Sequence, residues 1–171
     1  SVPDLPVFQH ALTWLQEREG YRPAAVVQLR PTHPIRRPAT IDAAIKAFLL
    51  RPDVDALRSV TVAAQSPYKM WRLTQDGCLT PLLTLDDGQE AYNLPRQSLP
   101  RVYWQDGYID ITRPRLILDR GTMTGRRILP FVIEEPSIDI DYAEHLQQAQ
   151  RLLAGEAPAA PPMLTTERFP S

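Results

Sequence analysis

Eighteen prolines against seven glycines set the strongest constraint on how this chain can fold. Proline holds φ near about −65° and lacks an amide hydrogen, so it stops helices and central strands. The elements must be short, with stiff links between them. Within that limit the chain is ordinary. Its 171 residues favour about one domain, and 43% apolar with 23% charged residues is globular usage. Disorder throughout, collagen and coiled coil are not expected. Nineteen basic against twenty acidic residues leave a net charge of −1, so no nucleic-acid partner is expected. Apolar runs such as Ala24 to Val27 fall far short of the roughly 20 residues that span a bilayer. No basic-then-apolar leader opens the chain, so neither a membrane partner nor a signal peptide is expected. Cys78 is the only cysteine. It rules out an intrachain disulfide or a multi-cysteine zinc site and suggests a reducing, cytoplasmic setting.

Hydrophobic spacing then orders the elements. Phe8, Ala11, Leu12 and Leu15 line one helical face that Gly20 and Pro23 end. The run 24–29 lacks alternation and suits a strand covered on both faces. A second helix carries Ile41, Ala44, Ile45, Phe48 and Leu49, with Thr40 as its expected cap and Pro52 as its stop. Residues 57–63 read as the next strand. Helix, strand, helix, strand with short links predicts an α/β fold with a parallel sheet. From residue 63 to 114 the helical period is lost. Short extended pieces alternate with turns, and Gln105-Asp106-Gly107 reads as a hairpin turn. This stretch is expected to be a β-rich insertion. A strand over 127–133 and a helix opened by Asp141 follow. The core is thus expected over 1–62 and 115–153, and a flexible tail over 154–171.

Three segments carry charge in patterns that suit chemistry. In Ser137-Ile138-Asp139-Ile140-Asp141, an extended backbone would put both carboxylates on one face, roughly 6.5–7 Å apart along the strand. Such a pair can reach one hard cation, and Mg²⁺ commonly takes one or two carboxylates together with phosphate oxygens. The same residues also read as a helix start, since Asp141 and Glu144 form a capping-box-like pattern. The second segment follows the first strand. Arg30, Arg36 and Arg37 stand among three prolines, where an anion could be gripped or the charges simply solvated. The third is 93–100, where Arg96 and Gln97 lie between Pro95 and Pro100. With Lys69 they could hold an acidic sugar, or form an ordinary polar loop.

Taken in order, these pieces resemble the acylneuraminate (CMP-sialic acid) cytidylyltransferases. The resemblance runs from about residue 5 to about 153 through residues 26–36, Asp42, 58–60, 67–70, Arg96-Gln97, Leu99-Pro100, Asp106-Gly107 and 137–141. It implies a mostly parallel, Rossmann-like nucleotidyltransferase sheet with a β-rich insertion that makes a homodimer. It implies transfer of CMP from CTP to an acidic nine-carbon sugar with loss of pyrophosphate. It assigns Mg²⁺ to Asp139 and Asp141, and substrate contacts to Lys69, Arg96 and Gln97. Arg30, Thr32 and Arg36, in the motif of residues 26–36, are expected to join those contacts.

The chain departs from the family in three places. The family's opening strand and basic, glycine-containing CTP loop have no counterpart here, so this chain by itself is expected to be inactive. Arg30 stands where the family carries a glutamine, and Asp110 where sialic-acid enzymes often carry a tyrosine. A permanent cation in place of an amide changes which sugar hydroxyls are favoured. Other nonulosonic acids and 3-deoxy-manno-octulosonate therefore stay open as substrates. A non-catalytic remnant or dimer-forming module of the same fold stays open as the rival reading.

Overall fold

The computed structural model describes residues 3–136 and 138–155. Helix α1 spans Asp4–Glu19 and ends where Gly20, at φ 65°, donates its amide to the Leu15 carbonyl. Strand β1, Val26–Gln28, follows, then helix α2, Pro38–Leu49, and strand β2, Ala56–Val62. The excursion beyond β2 holds the strands β3, Trp71–Leu73, and β4, Leu79–Pro81, and short 3-10 turns. Strand β5, Tyr103–Thr112, helix α3, Pro114–Arg120, strand β6, Ile128–Val132, and helix α4, Ala143–Leu153, complete the fold.

The main sheet has the order β1-β5-β2-β6. β5 runs antiparallel to both of its neighbours, and β2 is parallel to β6. Three strands therefore point one way and β5 the other. The α/β class is as expected, but the sheet is mixed because of β5. The Ala63 amide donates to the Val102 carbonyl at 3.1 Å. The chain thus re-enters the sheet at the end of β2 where it left, and a strand returning there runs antiparallel, as in a hairpin.

This also corrects the limits of the insertion. Residues 103–112 were expected outside the core, yet β5 sits between β1 and β2. The Asp-Gly signal marks an irregularity within one strand. Arg58 pairs with Asp110 and Val60 with Gln105, so Ser59 alone stands opposite residues 106–109. The extra backbone is satisfied locally. Asp106 Oδ1 accepts the Tyr108 amide at 3.1 Å, and the buried Ser59 hydroxyl accepts the Ile109 amide at 2.9 Å. Gly107 has φ 73°, a conformation that costs a side-chain-bearing residue about 1–2 kcal/mol. Gly107→Ala is expected to lower the unfolding free energy by about that amount, read as a shifted urea midpoint. An unchanged midpoint would show that the irregularity is not needed.

Other expectations shift for local reasons. β1 is an edge strand and only partly buried, since β5 covers one side of it alone. α2 starts at Pro38 with Arg37 as its N-cap, not at Thr40, because proline's missing N–H is harmless at that position. α3 was not anticipated. Its seven residues, closed by Gly121 at φ 59°, are too few to show a helical period. α4 is preceded by Tyr142 with no side-chain cap, so Asp141 does not cap it. Beyond Gly155 the expected tail lies outside the described residues.

The core gathers Phe48 and Ala44 from α2, Leu57 from β2 and Tyr108, Ile109 and Ile111 from β5. Each buried side chain of this size contributes about 1.5–3 kcal/mol. Arg113 closes one end, with its guanidinium 4.0 Å over the Phe48 ring and donating to the Phe48 and Arg51 carbonyls. This packing holds the carboxyl ends of β1 and β2 at one edge of the sheet.

Candidate functional site

The loop leaving β1 is built around one side chain. Arg36 Nε donates to the Tyr108 carbonyl at 2.7 Å, Nη2 to the Arg30 carbonyl at 2.8 Å, and Nη1 to the His33 carbonyl. Residues 30–38 include Pro31, Pro34 and Pro38, so few backbone amides are on hand for these carbonyls. Arg36 donates to all three, and the Arg30 carbonyl also accepts the His33 amide at 3.1 Å. A grip on substrate was expected of Arg36, and here all three of its nitrogens brace the backbone. Thr32 likewise acts through its main chain. Its carbonyl accepts the Ile140 amide at 2.7 Å, which ties the segment after β6 to this loop and brings Asp139 to it.

Arg30 remains available. Its head is 3.6 Å from Asp4 and 4.0 Å from Asp110, with 42% of the side chain exposed. Asp110 also meets Arg58 at 3.2 Å, and Arg58 donates to the Thr124 hydroxyl at 2.5 Å. Burial raises the pKa of Asp110, against the opposing pull of Arg58 and Arg30. Asp139 lies over the irregular part of β5. A Cβ on Gly107 would stand 3.6 Å from Asp139 Oδ2 and 4.0 Å from Arg30 Cδ.

Several polar atoms here are buried without a hydrogen-bond partner. They are Asp139 Oδ1, Asp106 Oδ2, Asp110 Oδ1 and both ring nitrogens of His33. His33 is fully buried with its ring edge-on to Tyr108 at 5.2 Å. Burial lowers its pKa, Arg36 lowers it further, and Asp106 and Asp139 pull it up. The unfolded chain therefore binds a proton to His33 at a higher pH than the folded one. That stability is complete above the ordinary value of 6.5 and is lost as pH falls below it. Urea midpoints of the protein without divalent ions, followed down from pH 8, should drop more steeply for the wild type than for His33→Leu. Parallel profiles would remove His33 as the cause.

The expected carboxylate pair is not assembled as an extended strand. Residues 138–142 form no strand, and Ser137 lies outside the described residues. Asp141 is exposed, and its amide donates to His145 Nδ1 at 3.2 Å. Among the described residues no group of three or more Asp, Glu, His or Cys is placed to hold a metal. Asp139 is the member of the pair that suits a cation, since its buried Oδ1 lacks a donor. Mg²⁺ held through so few carboxylates would take its remaining ligands from phosphate oxygens and water.

A second group lies further along β2. Arg58 is level with the end of β1, and Val62 is four residues beyond it, about 13 Å at strand rise. There a cavity of about 330 Å³ is lined by Ser66, Arg96, Gln97, Leu99, Arg101 and Val102, among others. Arg96 is braced by Nη2, which donates to the Ala63 and Ala64 carbonyls at 3.3 and 2.6 Å. Arg96 and Gln97 both line this cavity. Lys69 is not in the lining, and its Nζ donates to the Tyr92 carbonyl at 3.0 Å. Sequence reasoning missed Arg101 and Ser66 here, and Asp106 and Arg58 in the first group. Asp106 carried a signal, but an Asp-Gly pair reads as a turn before it reads as a site.

No family model and no curated protein matches the chain. Among solved structures it is similar to a CMP:2-keto-3-deoxy-manno-octonic acid synthetase complexed with CTP. The TM-score is 0.53 at 10% identity, covering 86% of this chain and 68% of that one. At that identity the likeness shows a shared α/β fold.

Proposed function

We propose that this protein transfers CMP from CTP to the anomeric hydroxyl of an acidic sugar. The hydroxyl oxygen forms a bond to the α-phosphorus, the bond from that phosphorus to the bridging oxygen breaks, pyrophosphate leaves and the hydroxyl proton passes to solvent. The observation that carries the reading is the cavity of Arg96 and Gln97 beyond the end of β2. Ligands of open α/β sheets bind at the carboxyl ends of strands. A fold similar to that of a synthetase complexed with CTP adds to it.

The residues take distinct parts. Arg30, at the end of β1, faces the phosphates or the sugar hydroxyls. Arg96 and Gln97 take the sugar, while Lys69 stays outside the lining with its ammonium on the Tyr92 carbonyl. Asp139 would hold Mg²⁺, with the exposed Asp141 as its outer partner. The ion would neutralise charge on the phosphates as it moves toward the leaving group. The sugar is a nonulosonic acid or 3-deoxy-manno-octulosonate. The similar synthetase is named for the eight-carbon acid, and the departures at Arg30 and Asp110 favour an acid other than N-acetylneuraminate.

The excursion exposes Trp71, Leu73, Leu79 and Leu83. Apolar surface of this kind supports two copies associating there. Cys78 is a free, exposed thiol, which suits the reducing cytoplasm. No helix among the described residues is long and apolar enough to cross a membrane.

The test supplies the full-length protein with CTP, Mg²⁺ and a panel of nonulosonic acids and 3-deoxy-manno-octulosonate, and follows pyrophosphate. Release that depends on one acid is expected. No release with any acid would overturn the reading.

A further inference from the structure

We propose that Arg101, with the Ser66 hydroxyl, completes the seat for the sugar's carboxylate beside Arg96. This rests on reading the cavity as the place of an acidic sugar. Arg101 lines the same cavity as Arg96 and Gln97. Among the described residues it forms no salt bridge, so its guanidinium is uncommitted. Lys69, the cation the sequence points to, is outside that lining and bound to a backbone carbonyl. Ser66 is only 9% exposed, and its Oγ is buried with no partner. A buried hydroxyl left unpaired in a cavity wall loses free energy unless a ligand meets it.

The composition of the wall says what that ligand is. No Asp or Glu lines the cavity, and both charged side chains there are arginines. A guanidinium fork matches the two oxygens of a carboxylate, and a hydroxyl can donate to a further lone pair. Leu99, 8% exposed, and Val102 add an apolar side, which suits the C–H face of a sugar. A triphosphate carries several negative charges and has no such apolar face.

Arg101→Gln removes the charge and keeps most of the stem, so the fold should persist. Calorimetry on the full-length wild type and variant would use 3-deoxy-manno-octulosonate, N-acetylneuraminate, their uncharged carboxamides, and CTP. Arg101→Gln should weaken binding of the preferred acid about 10- to 100-fold, the effect of losing one charged hydrogen-bond partner. It should leave the carboxamide and CTP unchanged. Ser66→Ala should weaken the acid by a smaller factor. Unchanged acid binding in Arg101→Gln overturns the proposal, as does a loss that falls on CTP, or a wild type that binds none of these acids. Pyrophosphate release separates the two readings. Acid binding lost in Arg101→Gln, with no turnover by the wild type, keeps the seat and removes the reaction. Turnover with an unchanged KM for the acid in Arg101→Gln keeps the reaction and removes the seat.

Discussion

Replacing Arg36 by alanine should lower the unfolding free energy by about 3 kcal/mol. The substitution removes three hydrogen bonds from a cation and leaves the His33 and Tyr108 carbonyls without that donor, while the Arg30 carbonyl keeps the His33 amide at 3.1 Å. Each buried group left unsatisfied costs about 1–3 kcal/mol. The guanidinium is only partly buried, so water will reach some of these carbonyls and the sum falls toward the low end. Arg36→Lys should recover only part of the loss, since one ammonium cannot reproduce a planar fork aimed at three acceptors. Urea unfolding of the three proteins measures this. Had Arg36 instead gripped substrate, stability would hardly change and KM would rise. A shift below about 0.5 kcal/mol, the level of ordinary surface substitutions, would return Arg36 to that role.

Asp139→Asn should lower kcat for pyrophosphate release about 100-fold or more, the scale of losing one partner to transition-state charge. The variant keeps the side chain's shape, and the Ile140 amide still donates to the Thr32 carbonyl at 2.7 Å, so the loop stays in place. Stability should hold or rise, because the negative charge beside a buried oxygen that lacks a donor is removed. Sites that hold unpaired charge for a ligand commonly give up stability for it. Asp141→Asn should cost less, since Asp141 is exposed. Parallel kinetics and thermal unfolding check both. Normal turnover in Asp139→Asn would remove the metal role, and a larger loss in Asp141→Asn would reverse the ranking.

Much of the architecture was legible because it rests on local signals. The spacing of Phe8, Leu12 and Leu15 and the stop at Gly20 define α1, and the stripe through Ala44 and Phe48 defines α2. Two features were hidden by ambiguity. Gly107 has positive φ whether it closes a hairpin or relieves an irregular strand, so Asp106-Gly107 cannot distinguish them. Asp141 with Glu144 fits a helix cap by pattern, yet the helix begins after Tyr142 with no side-chain cap.

The site divides in the same way. Residue type and order pointed to Arg30, Arg96, Gln97 and Asp139 as candidates, because the choice of arginine, amide and carboxylate reflects the chemistry of anions and cations. Whether a given arginine faces a ligand depends on which carbonyls lie within its reach. Arg36 is consumed by the backbone, and Arg101 is left free in a cavity wall. Those carbonyls belong to residues as distant in the chain as Tyr108 is from Arg36. Their meeting follows from β5 folding back between β1 and β2, a long-range pairing that no local window contains.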